Sequence, residues 1–402
     1  MRGDAAAALF VGAEEFAAEG VATVLESAAA LGVDAVAVAL AYHAARDVTP
    51  HAPHRVTWRR DGIHFAPADG AFGTLVPPRA SDDAALVPAV IAGARQYGLE
   101  ALGWAVFLHN EALGSRHPDI THVNCFGGRA TLGELCPAHP AVRAYCVELA
   151  VAVAATGARA VLAESLHFAP FGHGYHHERS FVELGELAEF ALALCFCAHC
   201  VARASVAGVD VDEARASARR LVDAGADEPY PLTPQALRER GGEALAAVAA
   251  ARVATVTSLV AEVAAALAAE GTRLCFLDIT GAYQGYADGL PGPASGLDDA
   301  WRYGIDPAEL SRHADYGILA YARDPRRVAD ETTRYRAALA PSSALRVLLR
   351  PGAPDCDSVA NLAAKVGGAR GAGAASIDFY HYGLTPLPVL DRIPRALEAA
   401  AS

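Results

Sequence analysis

The run Ala-Val-Leu-Ala-Glu at residues 160–164 is a short buried-strand pattern that ends in a carboxylate, and the helical stretch Val142–Ala155 precedes it. A strand next to an amphipathic helix is the repeating unit of a parallel sheet. Similar runs recur along the 402 residues, and together they predict an α/β fold, a (β/α)8 TIM barrel. The eight predicted strands are Leu9–Val11, Ala35–Leu40, Leu102–Leu108, Ala160–Ala163, Arg273–Leu277, Tyr316–Ala320, Leu345–Leu349 and Ala375–Phe379.

Two intervals are too long for plain connections and predict long loops after strands two and four. Residues 41–80 are expected to form a β-hairpin in which Arg55–Trp58 pairs with Ile63–Phe65. Residues 165–250 are expected to hold a cysteine-bearing helical insertion. Because no repeat, linker or composition break divides the sequence, we expect a single domain over residues 1–402.

Composition and charge exclude two classes of partner. The formal net charge is −13 with 33 Lys and Arg, so the chain lacks the basic surface that neutralises nucleic-acid phosphates. The longest apolar runs, Ala244–Ala251 and Leu259–Ala269, fall short of the roughly 20 residues of a membrane span. We therefore expect a cytoplasmic protein that binds neither nucleic acid nor membrane and could form a homo-oligomer.

Polar residues follow the predicted strands and form a ring at one end of the barrel, where the chemistry of such folds takes place. The ring is rich in carboxylates, imidazoles and phenols. This mixture suits a polyhydroxylated ligand such as a small saccharide or glycoside. The predicted substrate-binding residues are Tyr42, His43, His109, Asn110, His167, Tyr283, Arg350, Tyr380 and His381.

Three cysteines, Cys195, Cys197 and Cys200, have the C-x-C-x2-C spacing that aims three sulfurs at one tetrahedral ion. The expected fourth ligand is Cys136, in the loop after predicted strand three, with His199 as the alternative. Four thiolates leave no open coordination position, so the predicted cofactor is a structural Zn2+. Ordinary reduced cysteines in the core are the competing interpretation.

Four features occur in one order along the first half of the chain: Cys136-Pro137, the sequence Val-Arg-Ala-Tyr at residues 142–145, a Glu closing strand four, and the C-x-C-x2-C motif. In this order they resemble glycoside hydrolase family 42 β-galactosidases and related barrel families of uncharacterised glycosyl hydrolases. The resemblance implies that the four cysteines bind zinc. It also implies that Glu164 is the acid/base residue.

Two positions depart from that family's pattern. The family has Asn directly before its acid/base Glu, whereas this chain has Ala163. The family's nucleophile is a Glu that ends strand seven, whereas this chain has Leu349-Arg350-Pro351 there. The second catalytic carboxylate must therefore come from another position.

Glycosidic cleavage needs one carboxylic acid to protonate the leaving oxygen and a second carboxylate to attack or to activate water. With Glu164 as the first group, the predicted partners are Asp278 and Asp378, because both end apolar strands. Glu111 is a third option. Each of these carboxylates could instead form an ion pair, for example with Arg350.

The leading hypothesis is a carbohydrate-active enzyme that resembles glycoside hydrolases and cleaves a glycosidic bond with Glu164, Asp278 and Asp378. One alternative is a sugar or cyclitol isomerase or lyase that binds a divalent metal among these residues and His167. Another is a catalytically inactive, saccharide-binding barrel. The glycine-hinged, His-rich run 171–179 is interpreted as a mobile lid, a second metal site or an exposed loop.

Overall fold

Eight parallel strands close into a barrel in the computed structural model, which describes residues 6–129, 131–172, 179, 181–225 and 230–401. The strands are β1 (Ala7–Val11), β2 (Ala35–Tyr42), β3 (Glu100–Val106), β4 (Ala160–Glu164), β5 (Arg273–Asp278), β6 (Asp315–Leu319), β7 (Leu345–Leu349) and β8 (Ser376–Phe379). Each strand pairs with the next, and β8 pairs with β1. The predicted TIM barrel is confirmed.

Alternating residue size along β2 shapes the two faces of the barrel wall. Ala35 and Ala39 face the lumen, where they belong to the same apolar cluster as Trp104. Val36 and Leu40 face the surrounding helices. Small side chains on the inner face of β2 leave the lumen room for large aromatic rings, and this packing fills the barrel with side chains.

Helices cover the outer face of the barrel. Gly20, with φ of 91°, ends the helix Ala13–Glu19 and precedes the helix Val21–Ala30. The α-helices are Ala13–Glu19, Val21–Ala30, Leu86–Gln96, Glu111–Arg116, Pro140–Ala155, Gly185–Ala193, Ala198–Val206, Val211–Gly225, Pro234–Ala269, Thr280–Gly285, Gly296–Asp299, Pro307–Leu310, Pro325–Ala338, Val359–Gly371, Leu387–Leu390 and Arg392–Ala399, and the 3-10 helices are Pro118–Ile120 and Ala300–Tyr303.

The hairpin after β2 has a different register from the predicted one. Its strands are Ala45–Val48 and Val56–Arg59, whereas Gly62–Ile63 pairs antiparallel with the end of β2. The reason is an ion pair that the sequence pattern does not reveal: Arg59 Nε donates to Asp47 Oδ2 at 2.5 Å across the hairpin. This contact draws Arg59 into the hairpin.

The insertion between β4 and β5 has an apolar cluster of its own, to which the helices Gly185–Ala193, Val211–Gly225 and Pro234–Ala269 contribute. The helix Pro234–Ala269 has 36 residues and is long and apolar enough to cross a membrane, by length and composition alone. It is longer than the apolar runs that the sequence analysis identified. It packs against the helices Pro140–Ala155 and Val211–Gly225 and against β5. A break at Gly242, with φ of 77°, divides it.

Candidate active site and metal centre

Glu164, the last residue of β4, faces the lumen at the C-terminal end of the barrel. Strand alternation places it on the same face as Ala160 and Leu162, which belong to the inner apolar cluster. The indole Nε1–H of Trp104 on β3 donates a 2.7 Å hydrogen bond to Glu164 Oε2. Since Trp104 is fully buried, this bond holds the carboxylate in one orientation.

Aromatic rings from several strands and strand ends surround the side chain of Glu164. Trp104 makes edge-to-face contacts with Phe10 and Tyr42 at ring-centroid distances of 5.1 and 4.8 Å. Tyr380 packs against Trp104 at 5.8 Å, and its hydroxyl lies 3.3 Å from that of Tyr42. Burial is the main cause that raises the pKa of both phenols, so they stay protonated near neutral pH. The C-terminal end of the barrel around Glu164, which we call the barrel mouth, therefore offers apolar surface and hydroxyl groups together, as ligand pockets do.

His109 and Glu134 form a buried pair at the same mouth. His109 follows β3, and the segment around Glu134 runs antiparallel to it. Two backbone hydrogen bonds, of 2.7 and 2.8 Å, join residues 108–110 to residues 133–135. The imidazole Nδ1 of His109 hydrogen-bonds to the Glu134 carboxylate. The loop after β3 thus supplies both members of the pair.

Carboxylates converge on His109 from three connections. Burial lowers the pKa of His109, but Glu134, Asp61 and Glu164 together raise it above the usual value for histidine. Asp61 also accepts backbone hydrogen bonds from the loops after β2 and β3. The pKa of Tyr283 is also raised, mainly by burial and next by the charge of Glu134. The charge of Glu164 raises it further. These side chains therefore lie close enough to share one electrostatic environment.

Glu134 and Asp61 were not among the predicted site residues. Glu134 lies two residues before Cys136, so its place in a loop expected to reach the metal could have identified it. Asp61 falls between the two strands of the predicted hairpin, and in the observed register its carboxylate bonds to Ala44, which follows β2.

Asp278 faces away from the lumen, which corrects the expectation that it lies beside Glu164. Its Oδ2 accepts hydrogen bonds from the hydroxyls of Tyr316, at 2.7 Å, and Tyr335, at 2.9 Å. Tyr335 belongs to the helix Pro325–Ala338, outside the barrel wall. Consecutive residues of a strand point to opposite faces. Leu277 faces the lumen, so Asp278 points outward, toward the surrounding helices.

Asp378, on β8, faces the lumen but lies one layer below the aromatic rings, two residues before Tyr380, which follows the strand. Arg346 donates two hydrogen bonds of 2.8 Å to its carboxylate, and Ser376 Oγ donates one of 2.7 Å. A backbone N–H of β1 donates another at 3.1 Å. With 0% exposure, Asp378 is a sealed ion-pair partner, which corrects the expectation that it shares the mouth with Glu164.

The ligand set expected for a metal-dependent isomerase does not assemble. Asp278 lies in the wall and Asp378 lies beneath the rings. His167 is buried, and its Nδ1 hydrogen-bonds to the carbonyl oxygen of Phe168 at 2.8 Å. Within the described residues, the group of His, Cys, Asp or Glu side chains arranged to hold an ion is the cysteine cluster.

Arg350, which follows β7, donates its hydrogen bonds to groups of the protein. Two go to the Asp355 carboxylate, at 2.6 and 2.7 Å, and one each goes to the carbonyl oxygens of Gly285 and Tyr286, both at 2.9 Å. Its guanidinium carbon lies 4.1 Å from the ring centroid of Tyr321. Arg350 therefore bridges the loops after β5 and β7, and its contact with a substrate stays a prediction.

Two of the remaining predicted binding residues lie at the mouth. The half-buried ring of His43 stacks on Tyr42 at 4.3 Å and meets the edge of His109 at 4.9 Å. Tyr283 lies 6.4 Å from His167, measured between ring centroids. These rings extend the aromatic surface toward the loop after β5.

Other predicted residues support the wall. Asn110 caps the helix Glu111–Arg116, its Oδ1 accepting from Leu113 N at 2.8 Å, and Glu111 is exposed in the first turn of that helix. His381 is buried, and burial lowers its pKa to about 4, so its ring is neutral. Within the expected lid, His173, His176, His177 and Glu178 lie outside the described residues.

Cys136, Cys195, Cys197 and Cys200 converge, as the sequence predicts. Their Sγ atoms all lie within 4.8 Å of one another, and Cys136 is 3.5 Å from Cys200, 3.7 Å from Cys197 and 3.8 Å from Cys195. Thiolates placed tetrahedrally at about 2.3 Å from zinc are about 3.8 Å apart. This buried cluster could hold a metal ion. The ring of His199, the alternative ligand, packs edge-to-face on His139 at 4.4 Å.

No family model matches the chain, and no curated protein matches it. Solved structures with the same fold include a polyextremophilic β-galactosidase from the Antarctic haloarchaeon Halorubrum lacusprofundi, with 13% identity and a TM-score of 0.58 over 98% of this chain and 58% of that chain. Another is α-L-fucosidase isoenzyme 2 from Paenibacillus thiaminolyticus, with 11% identity and a TM-score of 0.54 over 98% of this chain and 49% of that chain.

A third is a β-galactosidase from the psychrophilic Marinomonas ef1, with 10% identity and a TM-score of 0.55 over 98% of this chain and 58% of that chain. The chain thus spans between 49% and 58% of the length of these proteins. At such identities the likeness shows the fold alone. It does not single out glycoside hydrolase family 42.

Proposed function

We propose that the chain is a carbohydrate-active enzyme that cleaves a glycosidic bond in a small saccharide or glycoside, with Glu164 as proton donor. The observation that carries the proposal is a lumen-facing carboxylate, held by Trp104, at the mouth of a barrel lined by aromatic rings. The solved β-galactosidases and α-L-fucosidase of the same fold support it through their names.

The geometry suits Glu164 to protonation of a leaving oxygen. In its carboxylic-acid form it passes its proton to the glycosidic oxygen while the bond from that oxygen to the anomeric carbon breaks. Because Trp104 already orients the group, little ordering is left for the moment when substrate binds. Tyr42 and Tyr380, which stay protonated, are placed to donate hydrogen bonds to sugar hydroxyls.

A saccharide-binding barrel without catalysis is the second candidate. The observation that favours it is the end of β7, where Arg350 stands in place of a carboxylate and is bonded within the protein. The isomerase or lyase alternative loses support, because Asp278 and Asp378 lie apart from the mouth.

Release of nitrophenol from a panel of nitrophenyl glycosides tests the proposal. In Glu164→Gln the side chain still accepts the hydrogen bond of Trp104 but has no acidic proton to transfer. We expect kcat/KM to fall by about 10²–10⁴-fold, with an unchanged melting temperature. Glu270→Gln, at an exposed helix end, is the matched control and should keep the wild-type rate.

Two outcomes count against the proposal. Undiminished hydrolysis by Glu164→Gln contradicts the role of Glu164. Tight binding of a saccharide by the wild type, with no glycoside hydrolysed, supports the binding barrel instead.

We also propose that the cysteine cluster holds a structural zinc ion. The sulfur spacing matches a tetrahedral site, and four thiolates would close it. Arg252, which is 4% exposed, lines the same cavity as Cys195 and Cys200 and would offset the negative charge of the thiolates. The cytoplasm, where thiols stay reduced, is the compartment that we propose. Elemental analysis of freshly purified, reduced protein should find zinc in stoichiometric amount.

A further inference from the structure

We infer that His109, oriented by Glu134, is the catalytic base that activates water, with Glu164 as the acid. The inference rests on the proposed glycosidase function and deepens it. It assigns the second reacting group, which Asp278 and Asp378 do not supply, to the loop after β3. It also defines the reaction class as hydrolysis with inversion at the anomeric carbon.

The contact between His109 and Glu134 determines which ring nitrogen is basic. Glu134 is 2% exposed, and its Oε1 contacts Nδ1 of His109. An ionised carboxylate only accepts hydrogen bonds, so Nδ1 carries the proton and Nε2 is the basic nitrogen of the neutral ring. A carboxylate that holds an imidazole in this way prepares it to remove a proton.

His109 lies on the strand connection next to Glu164. β3 and β4 are paired neighbours, with Val106 opposite Glu164, and Phe107 N donates to the Glu164 carbonyl oxygen at 2.9 Å. His109 follows two residues later. The charge of Glu164 also raises the pKa of His109. The two proposed reacting groups therefore lie at the same end of the barrel, on neighbouring strand connections.

Three other carboxylates near the mouth form ion pairs with Arg59. The buried guanidinium of Arg59 donates to Glu14 and Asp47 at 2.5 Å and to Glu15 at 2.6 Å. Three carboxylates thus share one cation, and each loses freedom to act as a nucleophile or base. The imidazole of His109 differs from these carboxylates, because its partner is a carboxylate that prepares it to take a proton.

The reaction balances with these two groups. A water oxygen bonds to the anomeric carbon while the bond to the leaving oxygen breaks. One water proton passes to Nε2 of His109, and the proton of Glu164 passes to the leaving oxygen. Glu134 stabilises the imidazolium, which then loses its proton to solvent while Glu164 regains one. Because water attacks once, from the face opposite the leaving group, the configuration inverts.

The test compares a nitrophenyl with a dinitrophenyl glycoside of a sugar that the wild type hydrolyses. Dinitrophenolate leaves without protonation, so Glu164→Gln should keep most of its rate on that substrate. His109→Ala should lose about 10²–10⁴-fold on both substrates, and added imidazole should restore part of the rate. His313→Gln, exposed before β6 at the far end of the barrel, is the matched control.

Glu134→Gln tests the positioning role through the pH profile. Among the described residues, the groups that act on or contact His109 include Glu134, Asp61, Glu164 and the ring of His43. The base must be neutral, so the rate falls as the pH drops through the pKa of His109. Loss of the Glu134 charge lowers that pKa, and the acid limb of kcat/KM should move to lower pH. A purely structural role would lower the rate without moving the limb.

The outcomes separate this inference from the proposed function. Full activity of His109→Ala and Glu134→Gln, or product NMR that shows a retained configuration, overturns the inference and leaves the role of Glu164 standing. If the wild type hydrolyses no glycoside, the proposed function fails, and this assignment fails with it. If circular dichroism shows that His109→Ala does not fold, the pH profile of Glu134→Gln decides.

Discussion

The cysteine cluster and the barrel mouth are neighbouring sites built in opposite ways. The cluster draws on four identical ligands, three of them within residues 195–200, and a bound ion would have no open position. The mouth collects different side chains, among them Glu164, Tyr380 and His109, from separate strands and loops. With the proposed zinc bound, saturation would make the first site a source of stability. The mixed and partly exposed second site is the one that can react.

The two sites nevertheless share one loop. The connection after β3 carries Glu134 two residues before Cys136, and a backbone hydrogen bond of 2.8 Å from Leu135 N to Leu108 O lies between them. A change at the cluster should therefore reach the mouth through this segment. We expect a change at Glu164 to affect the cluster less, because the hydrogen bond from Trp104 to Glu164 lies within the barrel.

Cys195→Ser should produce the largest effect and tests whether the cluster serves stability. We expect loss of bound zinc and a fall of more than about 5 kcal/mol in the free energy of unfolding, because metal binding at such a site is part of folding. Elemental analysis and denaturant unfolding measure both. Cys356→Ser, outside the cluster, is the control. Unchanged stability in Cys195→Ser would break the contrast between the two sites.

Asp378→Asn should have the next largest effect and separates scaffold carboxylates from reacting ones. It leaves Arg346 buried without a charged partner, which costs about 3–5 kcal/mol. The folded fraction should keep the wild-type kcat, in contrast to Glu164→Gln, which should lose rate and keep stability. Urea unfolding and single-substrate kinetics on the same samples check this pattern. A large loss of kcat in fully folded Asp378→Asn contradicts it.

Acid should weaken the protein through His381, and this effect is the smallest of the three. Burial lowers the pKa of His381 to about 4, so the unfolded chain binds a proton at a higher pH than the folded chain does. The stability is full above about pH 6.5 and falls by roughly 3 kcal/mol as the pH drops to about 4. His381→Gln should flatten the curve of unfolding free energy against pH, and His313→Gln should not.

The sequence predicted well where the signal is local. The spacing of Cys195, Cys197 and Cys200 belongs to one short segment, and the apolar run before Glu164 identifies its strand without knowledge of the rest of the chain. Both predictions depend on neighbours in sequence, which a pattern records. The eight strands were found for the same reason.

The rest depended on side-chain parity and on distant partners. Asp278 and Glu164 both end apolar strands, yet a shift of one residue points Asp278 into the wall toward Tyr335. Arg346 neutralises Asp378 from another strand, and His109 meets Glu134 across 25 residues. No periodicity in the chain encodes such pairs, because folding creates them.

The hydrogen bond between Trp104 and Glu164 gives this protein its own optical reporter. The chain has three tryptophans: Trp58 is 68% exposed, Trp301 is half-buried and Trp104 is 1% exposed. With Trp58 and Trp301 replaced by phenylalanine, the fluorescence would come from the one indole bonded to the proposed acid. A change in its emission would report saccharide entry directly, even for compounds that are never turned over.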